Sequence, residues 1–323
     1  MSPRTRHHSR TFLRTAVTLL ALLAHTRSVL AVERERTGTQ ATRARLETAS
    51  EAELPALLQQ LSSTTPRGRE ARSVAARSVA KLLGAGQADA VSEQGLVALA
   101  ALASGKPAGS AAGPGTSSAP TVTGAVDALP LRANGALEGW AALLVQYTQH
   151  RRPGLRAVAF RALAQVAGND KPLRAIVADG LRDSTPDVRA AAARGLETLH
   201  AREATPLLLR AFMRGVPEAA VTLGVVGEPS SLDAYGTLLT KLPLDVMLSG
   251  YQRYLVRADL NDDAKLNVVA RLEELAGAPV LRFLSGLARE PQLSPTLRQA
   301  ALASSARIAA ALAPQRSAAG GTP

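Results

Sequence analysis

The 323-residue chain contains no cysteine, and aromatic residues make up only 3% of it. The lack of cysteine excludes disulfide bonds and a lipid-modified N-terminal cysteine. So few aromatic residues, in a sequence dominated by alanine and leucine, argue against a β-rich enzyme fold. The formal charge is +12 at pH 7, and five arginines precede the first acid, Glu33. The chain from Val32 onward therefore has a formal charge of +7.

Residues 1–31 have the pattern of a secretory signal peptide. Four arginines and no acid precede the short apolar run TAVTLLALLA, and small residues follow at 29–31. This order is typical of exported proteins and predicts a mature start near Val32, in the periplasm or outside the cell. The apolar run is short for a transmembrane helix. An uncleaved membrane anchor is the alternative interpretation.

The rest of the chain divides by composition into four regions. Residues 32–104 form a first helical region, in which Ser50 to Glu53 is a predicted capping box before LPALLQQL. Residues 105–121 are rich in Gly, Pro, Ser and Ala and predict a flexible linker or loop. Residues 122–312 are the main helical region, and residues 313–323 are predicted to be a disordered tail.

An internal repeat indicates how the helices are arranged. PGLRAVAFRALAQVA from Pro153 aligns without a gap on PDVRAAAARGLETLH from Pro186, 33 residues later. The cation of this motif recurs at Arg72, Arg156, Arg189, Lys265 and Arg298. Three residues later stand Ala75, Ala159, Ala192, Val268 and Ala301; seven later Val79, Leu163, Leu196, Leu272 and Ser305; ten later Leu82, Val166, Leu199, Leu275 and Ile308. These spacings predict one buried face on each of five helices.

A second, shorter apolar helix accompanies several of these motifs, for example at 172–181, 206–212 and 279–287. A helix pair of about 33 to 40 residues is the unit of an α-solenoid. The stretch LRDSTPDVRAAAARGLETL resembles the second half of a HEAT repeat, and AAVTLGVVGEPSSLDAYGTLLTKL resembles the phycobilisome-lyase type of HEAT-like repeat. This resemblance, over about residues 50–312 with a gap, implies an all-α solenoid of stacked antiparallel helix pairs. It also implies that Asp183, six residues before Arg189, hydrogen-bonds turns and neighbouring repeats.

The repeat register is open between Val226 and Asp263. Two helical patterns, SSLDAYGTLLTKL and LDVMLSGYQRYLV, lie there, where a strict alternation of helices needs an odd number. Either Pro243 kinks one long helix or the array contains an irregular repeat.

The sequence offers little catalytic chemistry. Only His150 and His200 remain after the signal region, too few with no cysteine for a metal site or a triad. His150 occupies the Asp place of an inter-helix turn and is interpreted as structural. Asp259 to Asp263 has the oxygen spacing of a calcium loop, but alanines replace the required Gly and Glu. A capping turn is therefore predicted, and no enzyme activity, metal or cofactor is expected.

Three arginines form the first candidate binding site. Arg77, Arg161 and Arg194 each follow the repeat cation by five residues and face away from the apolar stripe. On stacked repeats such positions form a column, which suits an acidic protein partner or an anionic polymer. The alternative is an ordinary solvated face. Trp140 and Tyr147, seven residues apart on one helix face, are a second candidate, with packing as their alternative.

These observations predict an exported, non-catalytic HEAT-repeat protein that serves protein binding or scaffolding. A lyase-like or chaperone-like accessory factor, suggested by the resemblance alone, is a second possibility. A nucleic-acid-binding solenoid is a third, if the chain is not exported. The positive charge fits nucleic acid, but so few aromatic residues leave little for base stacking.

Overall fold

The computed structural model describes residues 40–66, 68–107 and 128–319. The predicted signal peptide and most of the predicted linker lie outside the described residues. The described chain is all-α apart from one short hairpin, which confirms the predicted fold class at that level. None of the helices in these ranges has the length and apolarity needed to cross a membrane.

The chain divides into two compact units, residues 1–144 and 145–323. The boundary lies inside helix α5, later than the predicted start of the main helical region at residue 122. The first unit contains α1 (residues 40–48), α2 (Leu54–Ser63), α3 (Arg69–Gly84), α4 (Asp89–Ser104), β1 (Arg132–Ala133), β2 (Ala136–Leu137) and the start of α5 (Gly139–Tyr147). In this unit α4 contacts both α2 and α3.

The second unit consists of helices joined by short turns. They are α6 (Pro153–Ala167), α7 (Lys171–Asp179), α8 (Pro186–Thr198), α9 (Thr205–Met213), α10 (Pro217–Val226), α11 (Ser231–Gly236), α12 (Leu244–Leu255), α13 (Asp262–Leu275), α14 (Gly277–Leu287) and α15 (Pro295–Ala319). Contacts run in sequence from α6 to α8, α10, α12 and α14. The intervening helix α7 contacts both α6 and α8.

The predicted apolar stripes are confirmed at two of the three repeat positions. All five residues three places after the cation are buried, and so are all five residues seven places after it. Leu163, Leu196 and Leu272 are fully buried. The position ten places after the cation differs, because Leu82 and Val166 are partly exposed and Leu275 is 38% exposed. These three residues lie in the last three positions of α3, α6 and α13, whereas Leu199 and Ile308 at the same repeat position are buried.

An aromatic cluster fills the region whose repeat register was open. α11 and α12 are separate helices, and Pro243 is the residue before α12, so it does not kink a longer helix. Tyr235 lies at 5.0 Å edge-on to Tyr251 and at 5.1 Å stacked on Phe212, measured between ring centroids. The rings of Phe212, Tyr235, Tyr251 and Tyr254 therefore pack together where α9, α11 and α12 meet.

Two local elements differ from the sequence predictions. The β-hairpin at 132–137 was not predicted, although its turn is Asn134-Gly135, and both residues have positive φ angles of 51° and 82°. An Asn-Gly pair is the usual sequence of a two-residue hairpin turn. The tail predicted as disordered from residue 313 is helical to Ala319. Its Ala, Gln and Arg residues favour the helix, whereas Pro314 in the same stretch does not.

The predicted capping box is only half formed. The Glu53 carboxylate accepts hydrogen bonds from the backbone N–H and the hydroxyl of Ser50, at 3.0 and 2.8 Å. The Ser50 hydroxyl therefore bonds to the acid and not to the backbone of the first turn. α2 begins at Leu54, directly after this contact.

Candidate functional site: an arginine surface on α6 and α8

An ion pair between two repeats fixes the start of α6. Arg156 donates from Nε and Nη2 to the two carboxylate oxygens of Asp183, both at 2.8 Å. Its Nη1 donates to the carbonyls of His150 and Arg151 in its own preceding turn, at 3.0 and 3.2 Å. Burial raises the pKa of Asp183, but hydrogen bonds from Arg156 and Thr185 outweigh it, so its pKa lies below its usual range. Asp183 is therefore a structural carboxylate.

The same arrangement recurs at the next helices. Arg189 donates to the carbonyls of Asp183 and Ser184, six and five residues earlier, at 3.0 and 2.9 Å. These are the positions at which Arg156 contacts its own turn. Arg174 on α7 pairs through two nitrogens with the carboxylate of Glu203, 29 residues later. Each of these arginines thus closes a turn, and two of them also bind the following helix pair.

Small residues bring α6 and α8 close together. Phe160 of α6 lies in a buried cluster with Val188 and Ala191 of α8. Further along both helices, a Cβ atom on Gly195 would lie 2.9 Å from the Cβ of Ala164. Because residue numbers rise together along this interface, the two helices are parallel. A larger side chain at Gly195 would force them apart.

Arg161 and Arg194 lie at the edge of this interface and are exposed. The backbones next to the two arginines are close together. The Phe160 carbonyl, just before Arg161, lies 3.7 Å from the Cβ position of Gly195, just after Arg194. Neither arginine has a side-chain hydrogen bond or an ion pair within the described ranges. Together Arg161 and Arg194 are called the arginine surface below. Two unpaired guanidinium groups on fixed helices can donate several hydrogen bonds to carboxylates.

The third predicted arginine belongs to the other unit. Arg77 lies on α3, is exposed, and donates at 3.4 Å to the carbonyl and hydroxyl of Ser73 in its own helix. Exposure agrees with the prediction for this position. The equivalent residues on α13 and α15 are the exposed Ala270 and Ala303, so the cation is absent there.

Trp140 and Tyr147, the second predicted site, are buried. Trp140 is 3% exposed and Tyr147 is 9% exposed. The Tyr147 ring stacks on His150, with a centroid distance of 5.4 Å and an interplanar angle of 14°. Both rings therefore serve packing, which was the alternative interpretation, and neither offers a docking surface.

A cleft beside the turns of α6 and α8 was not identified from the sequence. Its volume is about 510 Å³, and its lining includes His150, Arg151, Arg156, Asp179, Arg182 and Asp183. Arg182 pairs with Asp179 at 3.0 Å, and Arg156 pairs with Asp183. These two pairs balance four of the five charged lining residues. The fifth, the exposed Arg151, gives the cleft a net positive charge. Its residues are separated in sequence, and only the pairing of the turns brings them together.

The Asp259 turn forms a cap, as its interpretation predicted. The side chain of Asn261 accepts a hydrogen bond from the backbone N–H of Ala264, at 2.9 Å. Asp259 pairs with Arg257 and Arg202, at 2.8 Å in each case. Arg257 is the main cause that lowers the pKa of Asp259 to about 2, so this carboxylate is ionised and engaged in the protein.

The chain matches no protein-family model and no curated protein. One solved structure with weak similarity is described as an engineered protein, a target of the Northeast Structural Genomics Consortium. It has 17% sequence identity and a TM-score of 0.38, and the match covers 84% of this chain and 97% of that chain.

Proposed function

We propose that this protein is an exported, non-catalytic α-solenoid of HEAT-like repeats that binds an acidic protein partner through Arg161 and Arg194. One observation carries the proposal. The two arginines are exposed at equivalent positions on parallel, contacting helices, and neither is neutralised by an acid within the described residues.

The contacts of α6 to α12 support the repeat architecture. α6 and α8 are parallel with α7 between them, and α8 and α12 each contact α10. Thr222 of α10 donates to the carbonyl of Ala193 in α8 at 3.1 Å, which links a further pair of helices. In a solenoid each unit buries its face on the next, so a deep central core is not required. The repeated hydrogen bonds of Arg156 and Arg189 indicate equivalent units.

The contrast with the other arginines supports a binding role. Arg156, Arg174 and Arg257 pair with acids and have largely buried side chains, at 14%, 13% and 9% exposure. These residues stabilise the turns. Arg161 and Arg194 are exposed and contribute nothing comparable to stability, because an exposed charge is worth little to folding. Their planar donors match carboxylates in a partner, which is consistent with an acidic protein surface.

Chemical crosslinking in the cell envelope, followed by purification, tests the proposal. The wild-type chain is compared with the double variant Arg161→Glu/Arg194→Glu. The control is Arg210→Glu/Arg282→Glu, which makes the same charge change at two exposed arginines of α9 and α14. We expect the wild type and the control to capture the same acidic protein and the double variant to lose it. Equal capture by all three proteins would contradict the arginine surface.

Export is tested separately. N-terminal sequencing of the protein from fractionated cells is expected to find a start near Val32 in the periplasm or the medium. An intact chain found only in the cytoplasm would contradict export and would favour the nucleic-acid alternative.

A further inference from the structure

A small polar cavity lies between α11 and α13, away from the arginine surface. Its volume is about 240 Å³, below the roughly 300–1,000 Å³ of sites for drug-sized ligands. It equals about eight water volumes. Leu232 and Val268 form an apolar part of the wall, while Asp233, Asp263 and Arg271 are exposed, polar lining residues. A ligand of this cavity is therefore small and charged.

A buried phenol forms part of this lining. Tyr251 is 1% exposed, and its ring is held edge-on against Tyr235. The hydroxyls of Tyr235 and Tyr254 bond to Met247 and Ser231, whereas that of Tyr251 has no hydrogen-bond partner in the described part of the chain. The Tyr251 hydroxyl is not among the fully buried unpaired atoms of the described chain, so it reaches the cavity, where it can donate to water or to a ligand.

The Tyr251 hydroxyl remains a donor at neutral pH. Burial raises its pKa to about 12, with Arg271 acting in the opposite direction. A protonated phenol beside a guanidinium favours an anion over a cation at this end of the cavity.

Gly236 allows Arg271 to approach Tyr251. A Cβ atom on Gly236 would lie 2.7 Å from Nη1 of Arg271 and 3.5 Å from the Tyr251 hydroxyl oxygen. The two donors therefore converge on the same small space, and a methyl group at position 236 would displace the Arg271 guanidinium. Arg271 makes no ion pair within the described ranges, so its guanidinium is available to a ligand.

We propose that this cavity binds a small α-amino acid, with Tyr251 and Arg271 donating to its carboxylate and Asp233 and Asp263 accepting from its ammonium group. A guanidinium and a hydroxyl are strong partners for a carboxylate. The two aspartates disfavour a dianion and favour a ligand that carries a positive charge. Asn261 also lines the cavity, but its side-chain oxygen already accepts the hydrogen bond that caps α13.

NMR titration of the full chain tests this site with three probes: L-alanine, acetate and methylammonium. We expect L-alanine to shift the amide signals of α11 and α13 saturably, with a Kd on the order of 1 mM. Acetate and methylammonium each lack one of the two charges and are expected to bind at least tenfold more weakly. If L-alanine gives no saturable shift up to about ten times that Kd, or if acetate binds equally well, the proposal is wrong.

Two variants separate binding from folding. Tyr251→Phe keeps the ring and removes only the donor, and Gly236→Ala displaces the Arg271 guanidinium. Each is expected to weaken L-alanine binding at least tenfold while the amide spectrum outside α11 and α13 is unchanged. Arg282→Gln on α14 is the matched control and is expected to bind like the wild type. Unchanged affinity in both Tyr251→Phe and Gly236→Ala would overturn the site.

Discussion

Asp183 pairs with Arg156, 27 residues earlier, through two hydrogen bonds of 2.8 Å, and not with the side chain of Arg189, six residues later. Arg189 instead donates to the Asp183 carbonyl. The six-residue spacing of Asp183 and Arg189 in the sequence therefore reflects a contact within one turn. The ion pair of Asp183 with Arg156, by contrast, joins two sequence repeats. This contact ties the first turn of α6 to the turn that precedes α8.

Removing the Asp183 carboxylate is expected to weaken folding. Asp183→Ala leaves Arg156 without its acid in a position only 14% exposed, so we expect a loss of about 2 kcal/mol in the free energy of unfolding. The exposed Glu274→Ala is the control, with an expected change within about 0.5 kcal/mol. Thermal and denaturant unfolding measure both. A loss of partner binding with unchanged melting would show that Asp183 contacts a ligand instead.

Acid is expected to weaken the turn that contains Asp259. Its pKa is lowered from 3.8 to about 2 in the folded chain. The unfolded state then binds more protons in this window, so the contribution is complete above the ordinary pKa and is lost as the pH falls toward 2. Asp259→Asn should be less stable than the wild type near neutral pH. The difference should shrink between about pH 4 and pH 2 in urea unfolding, and a difference independent of pH would contradict the ion pair.

Leu196 and Leu302 test the packing of the repeats. Leu196 is fully buried, while Leu302 is 61% exposed. Leu196→Ala is expected to cost about 2–5 kcal/mol, because it leaves a cavity between helices. Leu302→Ala makes the same chemical change on the surface and should stay within about 0.5 kcal/mol. Equal losses in denaturant unfolding would show that Leu196 is not buried between the helices.

Two helical glycines should respond in opposite directions to the same substitution. A Cβ on Gly224 would lie 2.5 Å from the carbonyl oxygen of Gly250, where α10 meets α12, whereas a Cβ on Gly286 meets nothing within 4 Å. Gly224→Ala is expected to lower the melting temperature. Gly286→Ala should raise stability by about 0.5–1 kcal/mol, because alanine favours the helix. A neutral Gly224→Ala would contradict the close contact of the two helices.

The sequence predicted the features that depend on local pattern. Alanine and leucine at helical spacing indicated the helices and their buried faces, and Leu163 and Leu196 are fully buried as expected. The Asn134-Gly135 pair is also a local turn signal, but the alanine- and leucine-rich composition of the chain favours helices and not a hairpin. Local patterns fail at the helix ends, where Leu275 is exposed although its spacing matches the stripe.

The sequence could not predict features that depend on contacts between distant segments. Nothing local shows that Arg156 pairs with Asp183, or that Gly236 makes room for Arg271 beside Tyr251. The roles of Gly224 and Gly286 are likewise set by the helix that lies opposite each of them. For the arginine surface, the spacing predicted exposure correctly, whereas the burial of Trp140 and Tyr147 depended on tertiary packing.

The affinity of the captured acidic partner for the Arg161→Glu/Arg194→Glu variant is the most direct test of the proposed function. Calorimetry at low salt should give a Kd at least tenfold higher than that of the wild type and of Arg210→Glu/Arg282→Glu, with the melting temperature unchanged. Wild-type binding should also weaken as salt rises to about 0.1 M and above, because exposed charges are screened over about 10 Å there. Wild-type affinity in the double variant at low salt would contradict the proposal and make Arg161 and Arg194 an ordinary solvated face.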